Sequence, residues 1–428
     1  MTIDIFEAYE SNVRSYCRSF PAVFARAKNA ELFDETGKGY IDFFCGAGAL
    51  NYGHNNDYIK DKVIEYIAND GIIHSLDMYT HAKREFLEFF EKEILIARSF
   101  DYKIQFPGPT GTNAVEAALK LARKVKKRSG IFALMGAFHG MTLGALALTT
   151  DRDSREGAGV ALNNVTFVPA PYMYPELDTI EYIENLLTDD HSGADIPAAI
   201  IIETVQAEGG VYVFDELFLK RLRILCDKYD ILLIIDDIQV GCARTGTFFS
   251  FERAAIAPDI AVLSKSIGGY GFPLALTLIK PQYDIWSPGE HNGTFRGNQI
   301  AFVAAKAGLE YMLQNSVENQ ARIKGEKAKK YITDEILPLS SKLKLRGIGL
   351  ILGIDMTSLG GNNISKAVMK SCFENGVIAE RAGRDNAVLK IMPPLTIEED
   401  KLLKGLEIIR DSIKANISVS KRTFELKG

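Results

Sequence analysis

The segment ILLIIDDIQ, residues 231–239, places an unbroken run of large aliphatic side chains directly before two aspartates. Such a run, rich in β-branched residues and without alternation, is typical of a strand buried on both faces. Similar patterns predict strands at 131–135, 198–203, 260–264 and 274–279, and helices at 112–126 and 216–229. Strands that alternate with helices indicate an α/β fold, with a mainly parallel sheet covered on both faces.

Three chemically different side chains stand at the carboxyl ends of predicted strands. They are Glu203, Asp236 and Lys265. Ligands of open α/β sheets bind where the strands end and the loops begin. We therefore expect these three groups to share one edge of the sheet.

The length and the two chain ends indicate a second domain. A chain of 428 residues exceeds what one hydrophobic core usually supports. Residues 27–42 suggest a small sheet, and residues 346–355 suggest a strand followed by helices. We predict a large domain over residues 58–316, and a smaller α+β domain built from residues 1–57 together with residues 317–428.

Composition excludes several classes of protein. The formal net charge of −5 gives no basic surface for nucleic acid. The five cysteines are scattered without a CxxC pair, which argues against a disulfide framework or a zinc site and favours a reducing compartment. The acidic N-terminus lacks an apolar signal core, and no apolar run approaches the roughly 20 residues that span a bilayer. We expect a cytoplasmic enzyme that binds neither nucleic acid nor membrane.

Asp236 and Lys265 form the most informative pair in the sequence. Taken alone, Asp236 would as readily cap the next turn, and a lysine at a strand end more often extends into solvent. A desolvated lysine, however, loses its proton more easily and attacks a carbonyl carbon. A carboxylate keeps a pyridine nitrogen protonated, which lets the ring withdraw electrons. Lysine and aspartate together therefore suggest pyridoxal phosphate chemistry.

Two further segments supply what that cofactor would need. GPTGTN, residues 108–113, opens a predicted helix, and free N–H groups at a helix start bind phosphate, although Thr and Asn there also serve as N-caps. GAFHG, residues 136–140, offers the aromatic face of Phe138, whose default interpretation is core packing. The four elements together match a lysine anchor, a ring-nitrogen acid, a phosphate turn and a stacking ring.

From about residue 22 to residue 395, the chain resembles the class-III aminotransferases. The resemblance is carried by an ordered series of motifs: GAGA (46–49), GHN (53–55), GTNAVE (111–116), ETVQAEGG (203–210), DDIQVG (236–241), RTG (244–246), SK (264–265), TFRGN (294–298) and MPPL (392–395). It implies the pyridoxal-phosphate-dependent transferase fold of type I.

The resemblance also implies roles for individual residues. Lys265 resembles the lysine that carries the cofactor as a Schiff base and moves the substrate proton. Asp236 resembles the partner of the pyridine nitrogen, and Gln239 the residue that hydrogen-bonds the phenolic oxygen of the ring.

The remaining cofactor contacts are implied in the same way. Gly111 and Thr112 match the phosphate-binding turn, and Phe138 matches the residue stacked on the ring. Thr294 matches a threonine that reaches the phosphate in the neighbouring subunit, which implies a homodimer or larger homo-oligomer with shared active sites.

One position departs from the family pattern. Glu208 matches a gate glutamate that pairs with an arginine in many relatives, but the aligned position here is Lys390. Because a lysine cannot form a bidentate fork with a carboxylate, the gate of relatives need not operate in the same way. Arg381 or Arg384 is an alternative source of the fork.

Within the class, the chain most resembles the diaminobutyrate–2-oxoglutarate aminotransferases. The likeness rests on DDIQVGC (236–242), on WSPGEHNGTFRGN (286–298) and on Lys390. It implies transfer of the amino group of glutamate to aspartate 4-semialdehyde, giving 2,4-diaminobutyrate and 2-oxoglutarate.

Other functions are compatible with the same motifs. One is an ω-aminotransferase for ornithine or 4-aminobutyrate, and another is a pyridoxal-phosphate-dependent aminomutase or epimerase. A non-enzymatic relative is disfavoured because Lys265, Asp236 and Gln239 are intact.

Two other features of the sequence resemble binding sites but do not predict them. The glycine-rich GIGLILG, residues 347–353, lies inside a strand-like run, so it does not predict a dinucleotide site. The histidines show no metal-ligand spacing, and His54 and His139 are interpreted as structural or cofactor-adjacent groups.

Overall fold

The computed structural model describes residues 3–425, with side-chain detail from residue 5 to residue 417. Its strands are β1 (Phe24–Lys28), β2 (Glu31–Asp34), β3 (Gly39–Asp42), β4 (Lys103–Gln105), β5 (Ile131–Leu134), β6 (Val165–Val168), β7 (Ala199–Ile202), β8 (Val205–Gln206), β9 (Tyr212–Val213), β10 (Leu232–Asp236), β11 (Ile260–Leu263), β12 (Leu276–Ile279), β13 (Lys344–Ile348), β14 (Ile351–Asp355), β15 (Val377–Ile378), β16 (Glu380–Ala382) and β17 (Val388–Ile391).

Helices connect these strands and cover them. They are α1 (Ile3–Tyr9), α2 (Tyr16–Ser19), α3 (Cys45–Gly48), α4 (Asp57–Ala68), α5 (His81–Phe89), α6 (Gly111–Lys126), α7 (Leu143–Leu148), α8 (Arg152–Glu156), α9 (Thr179–Thr188), α10 (Glu216–Lys228), α11 (Gln299–Gln314), α12 (Val317–Tyr331), α13 (Gly361–Glu374) and α14 (Glu399–Glu425). None of these described helices has the length and apolar character needed to cross a membrane.

A seven-stranded sheet forms the centre of the fold. Its order is β4-β12-β11-β10-β7-β5-β6. Strand β12 runs in the direction opposite to that of the other six strands. The predicted α/β fold with a mainly parallel sheet is confirmed. Each predicted strand in this region begins and ends within two residues of an observed one.

Burial on both faces explains why β10 is aliphatic throughout. Leu233 and Ile235 pack into the core on one face of the sheet, and Leu232 and Ile234 pack into the core on the other. All four are almost fully buried. Successive side chains of a strand point to opposite faces, so a strand between two layers of helices needs apolar residues at every position.

The N-terminal and C-terminal parts of the chain share one sheet, and the C-terminal part forms a second sheet by itself. A four-stranded sheet has the order β1-β2-β3-β15, and β15 from the C-terminal half pairs in parallel with β3 from the N-terminal segment. A second four-stranded sheet, β13-β14-β17-β16, lies entirely within the C-terminal part. The division of the chain at residues 58 and 316 stays a prediction.

The glycine-rich run 347–353 differs from the single strand expected there. It forms the turn of an antiparallel hairpin between β13 and β14, with Ile348 opposite Ile351. Gly349 adopts a φ of +55°, which side chains with a Cβ adopt only at a cost, so the chain reverses at this point. A hairpin turn does not open a helix, which confirms that this run is not a dinucleotide fingerprint.

A buried guanidinium joins the chain ends to the central sheet. Arg244 is fully buried and donates hydrogen bonds to the carbonyls of Leu350 (3.0 Å) and Pro393 (2.5 Å). It also donates to Oδ1 of Asn51 (2.5 Å) and to Sγ of Cys45 (3.4 Å). Three segments that are distant in sequence, residues 45–51, residue 350 and residue 393, are thereby held around one side chain.

The turn at Gly349 gives a stability prediction. A Cβ at Gly349 would lie 2.4 Å from the carbonyl oxygen of Arg244, in addition to the strain of its positive φ. We expect Gly349→Ala to lower the free energy of unfolding by about 1–3 kcal/mol more than Gly193→Ala does. Gly193 is the matched control, because its φ is +71° and a Cβ there would meet nothing within 4 Å. Urea unfolding of both variants measures the difference, and equal losses would contradict this account.

Candidate active site

Three neighbouring strands bring the predicted polar groups to one cavity. Strands β7, β10 and β11 are adjacent and parallel, so their carboxyl ends meet at the same edge of the sheet. Glu203, Asp236 and Lys265 follow or end these strands, and all three line a cavity of about 310 Å³. The structure therefore brings together the groups that the sequence placed at one edge; their chemical roles stay predictions.

Lys265 begins the turn after β11 and has an unusual backbone. Its φ is +53°, in the left-handed region, and it starts a single 3-10 turn over Lys265–Gly268. Burial lowers the pKa of the Lys265 amine, although the carboxylate of Glu208 opposes this effect. Its amine therefore loses its proton more readily than that of an exposed lysine.

Asp236 is held by a histidine from a different strand end. Its Oδ2 lies 2.7 Å from Nδ1 of His139, and its Oδ1 accepts the N–H of Ile238 at 3.1 Å. Burial disfavours a charged His139, but the hydrogen bond to Asp236 and the nearby carboxylates raise the pKa of the imidazole overall. His139 was expected to be structural or cofactor-adjacent, and the structure shows that it orients Asp236.

Glu203 is a buried carboxyl group whose role the sequence did not specify. Its Oε1 accepts the N–H of Phe138 at 2.8 Å, and its Oε2 accepts the N–H of Ala207 at 3.3 Å. Burial raises the pKa of Glu203 to about 8. Glu203 thus fixes the two loops that carry Phe138 and Ala207.

The N-terminus of α6 forms one end of the cavity. Thr110 is the N-cap, and its hydroxyl donates to Oδ1 of Asn113 at 2.8 Å, so the capping interpretation is correct. Gly111 and Thr112 line the cavity as well. A Cβ on Gly111 would lie 2.8 Å from Cδ1 of Ile238, so a larger residue there would displace the side chain of Ile238. The free N–H groups and positive dipole of the helix suit a phosphate.

Phe138 and Gln239 lie on the walls of the cavity. Phe138 is half-buried and lines the cavity, so it is not a core residue. Nε2 of Gln239 donates to the carbonyl of Ala47 at 2.9 Å and to Oε1 of Glu208 at 3.0 Å. Oε1 of Gln239 is buried without a hydrogen-bond partner among the described residues. This oxygen is available to a bound group.

Lys390 is the cationic partner of Glu208. Its Nζ lies 2.5 Å from Oε1 of Glu208 and 2.8 Å from Oε2 of Glu380. Arg381 donates to Asn362 at 2.5 Å, and exposed Arg384 lies 3.4 Å from the hydroxyl of Tyr172. Neither arginine makes a described ion pair with Glu208, so the alternative arginine fork is not formed.

Glu380 was missed by the sequence analysis. It lies opposite Lys390 in the antiparallel pair of β16 and β17. That pairing joins residues across a turn, and no motif marks the glutamate. Residues 377–382 do not alternate between apolar and polar side chains, so periodicity gave no signal that would place Glu380 beside Lys390.

Thr294 lies outside the cavity of its own chain. It is exposed, and its carbonyl accepts a hydrogen bond from Nε2 of His74 at 2.9 Å. The predicted contact of Thr294 with a neighbouring subunit stays a prediction.

The family model for aminotransferase class-III matches residues 13–413, which is nearly the whole chain. The chain is a class-III aminotransferase. The resemblance that the sequence motifs suggested is confirmed.

Two relatives of this aminotransferase match it over almost their whole length. The diaminobutyrate–2-oxoglutarate transaminase of Halalkalibacterium halodurans is 49% identical over 425 residues, which cover 99% of both chains. The enzyme of the same name from Sporosarcina pasteurii is 51% identical over 414 residues, which cover 96% of both chains.

Solved structures show the same fold at lower identity. A transaminase from the marine bacterium Virgibacillus has a TM-score of 0.87 at 18% identity, with 98% of this chain and 99% of that chain covered. The ornithine aminotransferase of Toxoplasma gondii, crystallised with partial occupancy of pyridoxal phosphate, has a TM-score of 0.86 at 24% identity, with 98% and 95% covered. The predicted transferase fold of type I is confirmed.

Pyridoxal phosphate is the cofactor of this aminotransferase family, and the cavity fits it. A helix N-terminus suits the phosphate, a carboxylate suits the ring nitrogen, and the amine of Lys265 suits the aldehyde carbon. The unpartnered oxygen of Gln239 and the half-buried ring of Phe138 face the same space. The buried oxygen of Gln239 thus lacks a partner that a bound cofactor would supply.

The raised pKa of Glu203 predicts a pH-dependent stability. The folded protein keeps a proton on Glu203 up to pH of about 8, whereas the unfolded chain releases it near the ordinary value of 4.5. The resulting stabilisation is complete below pH 4.5 and is lost as the pH rises through 8, by up to about 1.4 kcal/mol per pH unit. Glu203→Gln carries no such proton. We therefore expect the unfolding temperature of wild type relative to Glu203→Gln to fall between pH 5 and pH 8.

The control for this measurement is a glutamate in solvent. Glu176 is exposed, so Glu176→Gln should follow wild type across the same pH range. A difference between wild type and Glu203→Gln that stays constant with pH would show that Glu203 is ionised in the folded protein.

Proposed function

We propose that this aminotransferase moves the amino group of glutamate to aspartate 4-semialdehyde, giving 2,4-diaminobutyrate and 2-oxoglutarate in a reversible, two-step exchange. The observation that carries the proposal is the 49–51% identity to two named diaminobutyrate–2-oxoglutarate transaminases over nearly the full length. Lys390, at the position where many class members have an arginine, is compatible with this subgroup.

Bound pyridoxal phosphate supplies a protonated ring that withdraws electrons from the carbon losing its proton. Lys265 is proposed as the base: its Nζ takes the proton from the substrate carbon and returns it on the cofactor side. Burial lowers the pKa of this amine, so a larger fraction of it is unprotonated and able to accept a proton. Asp236, oriented by His139 at 2.7 Å, is proposed to hold the proton on the ring nitrogen.

Other residues are proposed to hold the cofactor in place. The N–H groups at Gly111 and Thr112 would bind the phosphate, Phe138 would cover one face of the ring, and Gln239 would hydrogen-bond the phenolic oxygen. These assignments are supported by the shared cavity that the residues line.

Glu208 and Lys390 are proposed as the substrate gate. Burial opposes the charge of Glu208, but Lys390 and Lys265 outweigh it and lower the pKa of the carboxyl group, so it stays ionised. An incoming substrate carboxylate would compete with Glu208 for Lys390. Because lysine is a point charge, this exchange does not require the bidentate geometry of an arginine.

A homodimer with shared sites is part of the proposal. Ile72, Met78, Tyr79 and Phe295 are exposed apolar residues, and the ring of Phe295 packs edge-on against His74 at 5.3 Å. Apolar surface of this kind marks interaction sites. Phe295 and His74 adjoin Thr294, the residue proposed to reach the phosphate of the neighbouring subunit. We also propose the cytoplasmic location expected from the sequence.

The choice of amine is tested by half-reactions of the holoenzyme. We expect L-2,4-diaminobutyrate and glutamate to convert the cofactor absorbance rapidly, and ornithine, 4-aminobutyrate and β-alanine to do so at least about tenfold more slowly, since pocket contacts discriminate by a few kcal/mol. Fast conversion by ornithine or 4-aminobutyrate would keep the family and reject the proposed substrate. A change in the configuration of one amino acid without added 2-oxoglutarate would instead favour an epimerase.

The role of Lys265 is tested by removing its amine. We expect Lys265→Ala to lower kcat by about a thousandfold or more, because it removes both the covalent anchor and the base. Added methylamine should restore part of the rate, since a small free amine can replace the missing base. Exposed Lys220→Ala is the control and should keep the wild-type rate. Turnover of Lys265→Ala at the wild-type rate would refute the assignment.

A further inference from the structure

A second cavity adjoins the cofactor cavity on the side of the gate. Its volume is about 660 Å³, and Phe138, Glu208 and Lys265 line both cavities. Tyr16, near the N-terminus, and Glu380, on β16, also line this second cavity. A substrate that reacts beside Lys265 therefore extends toward Glu380.

Two carboxylates in this wall share one cation. Nζ of Lys390 lies 2.5 Å from Glu208 and 2.8 Å from Glu380, and Lys390 is fully buried behind them. Burial raises the pKa of Glu380, and the negative charge of Glu208 raises it further. The positive charge of Lys390 opposes these effects but does not cancel them. With both carboxyl groups ionised, Glu208, Glu380 and Lys390 together carry one net negative charge.

Lys265 also lines this cavity and its charge acts on both carboxylates, but its amine is the group proposed to bond to the cofactor. Arg381 lines the cavity, but its guanidinium donates to Oδ1 of Asn362 at 2.5 Å. Asp151 and Asp153 add further negative charge at the exposed rim. A ligand carrying an ammonium group in addition to the reacting amine would complete the charge balance beside Glu380.

We propose that Glu380, together with Glu208, binds the second ammonium group of a diamino acid while its terminal amine reacts beside Lys265. This inference rests on the proposed function and deepens it, because it makes Glu380 the residue that separates diamino acids from monoamino acids. Glutamate has no second ammonium group, so its half-reaction does not use this contact.

The pairing of strands keeps Glu380 in position. Glu380 faces Lys390 across β16 and β17, and on the other side of β17 the residue opposite Lys390 is Gly353. Because Glu208 remains paired with Lys390 in Glu380→Gln, that variant keeps the buried lysine neutralised and should fold.

The test compares two amines that differ by one ammonium group. 4-Aminobutyrate has the same four-carbon chain as L-2,4-diaminobutyrate and lacks the α-ammonium. We expect Glu380→Gln to lower kcat/KM for diaminobutyrate by about tenfold or more, mainly through KM, because a charge-assisted hydrogen bond is lost. The value for 4-aminobutyrate should stay within about twofold. Asp153→Asn, which removes a carboxylate from the rim of the same cavity, should leave the ratio of the two amines unchanged.

Binding without reaction gives an independent readout. In holoenzyme reduced with borohydride the cofactor stays bonded to Lys265, so the ligands bind without exchange. Diaminobutyrate should raise the unfolding temperature of reduced wild type more than 4-aminobutyrate does, and Glu380→Gln should abolish that difference. Equal losses for both amines, or an undiminished preference for diaminobutyrate, would overturn the role of Glu380.

The two proposals fail in distinguishable ways. If wild type does not convert diaminobutyrate, the proposed function is wrong whatever Glu380→Gln does. If wild type converts it and Glu380→Gln is unchanged, the proposed function stands and the inference about Glu380 is wrong. Glu380→Asp, which keeps the charge, should recover part of the preference for the diamino acid.

Discussion

The burial of Arg244 is the constraint on which the arrangement of the site depends. Removing a guanidinium from water costs several kcal/mol unless its N–H groups find partners. Here the partners are the Leu350 and Pro393 carbonyls, the Asn51 amide and the Cys45 sulfur. The chain ends must therefore converge on the loop after β10, because otherwise this charge would be buried without compensation.

The segment that Arg244 positions also makes hydrogen bonds beside Lys265. The N–H of Asn51 donates to Oγ of Ser266 at 3.1 Å, and the hydroxyl of Ser266 donates to the carbonyl of Gly48 at 2.6 Å. Ser266 directly follows Lys265. The left-handed backbone of Lys265 is thus held by hydrogen bonds from the N-terminal segment, which Arg244 in turn positions. Strained conformations at functional sites persist when surrounding contacts determine them in this way.

The central sheet and the cofactor cavity were predictable from the sequence, because strongly periodic segments and strand ends are local signals. The aliphatic run before Asp236 predicts a doubly buried strand, and the parallel order then places Glu203 and Lys265 beside it. The hairpin at Gly349 and the contact of Glu380 with Lys390 were not predicted. The first depends on the backbone conformation of one glycine, and the second on pairing between strands that no motif marks. His139 was interpreted as a structural or cofactor-adjacent group, but its hydrogen bond to Asp236 required the structure.

The meeting of two cavities at Phe138, Glu208 and Lys265 has a consequence for protein engineering. The rest of the larger cavity is walled mainly by segments outside the seven-stranded sheet, including α2, α8 and β16. A mutant library confined to those segments would vary the amine that enters, while the phosphate turn and the partners of Asp236 keep their sequence. Amine scope and cofactor retention are therefore separable design targets in this scaffold.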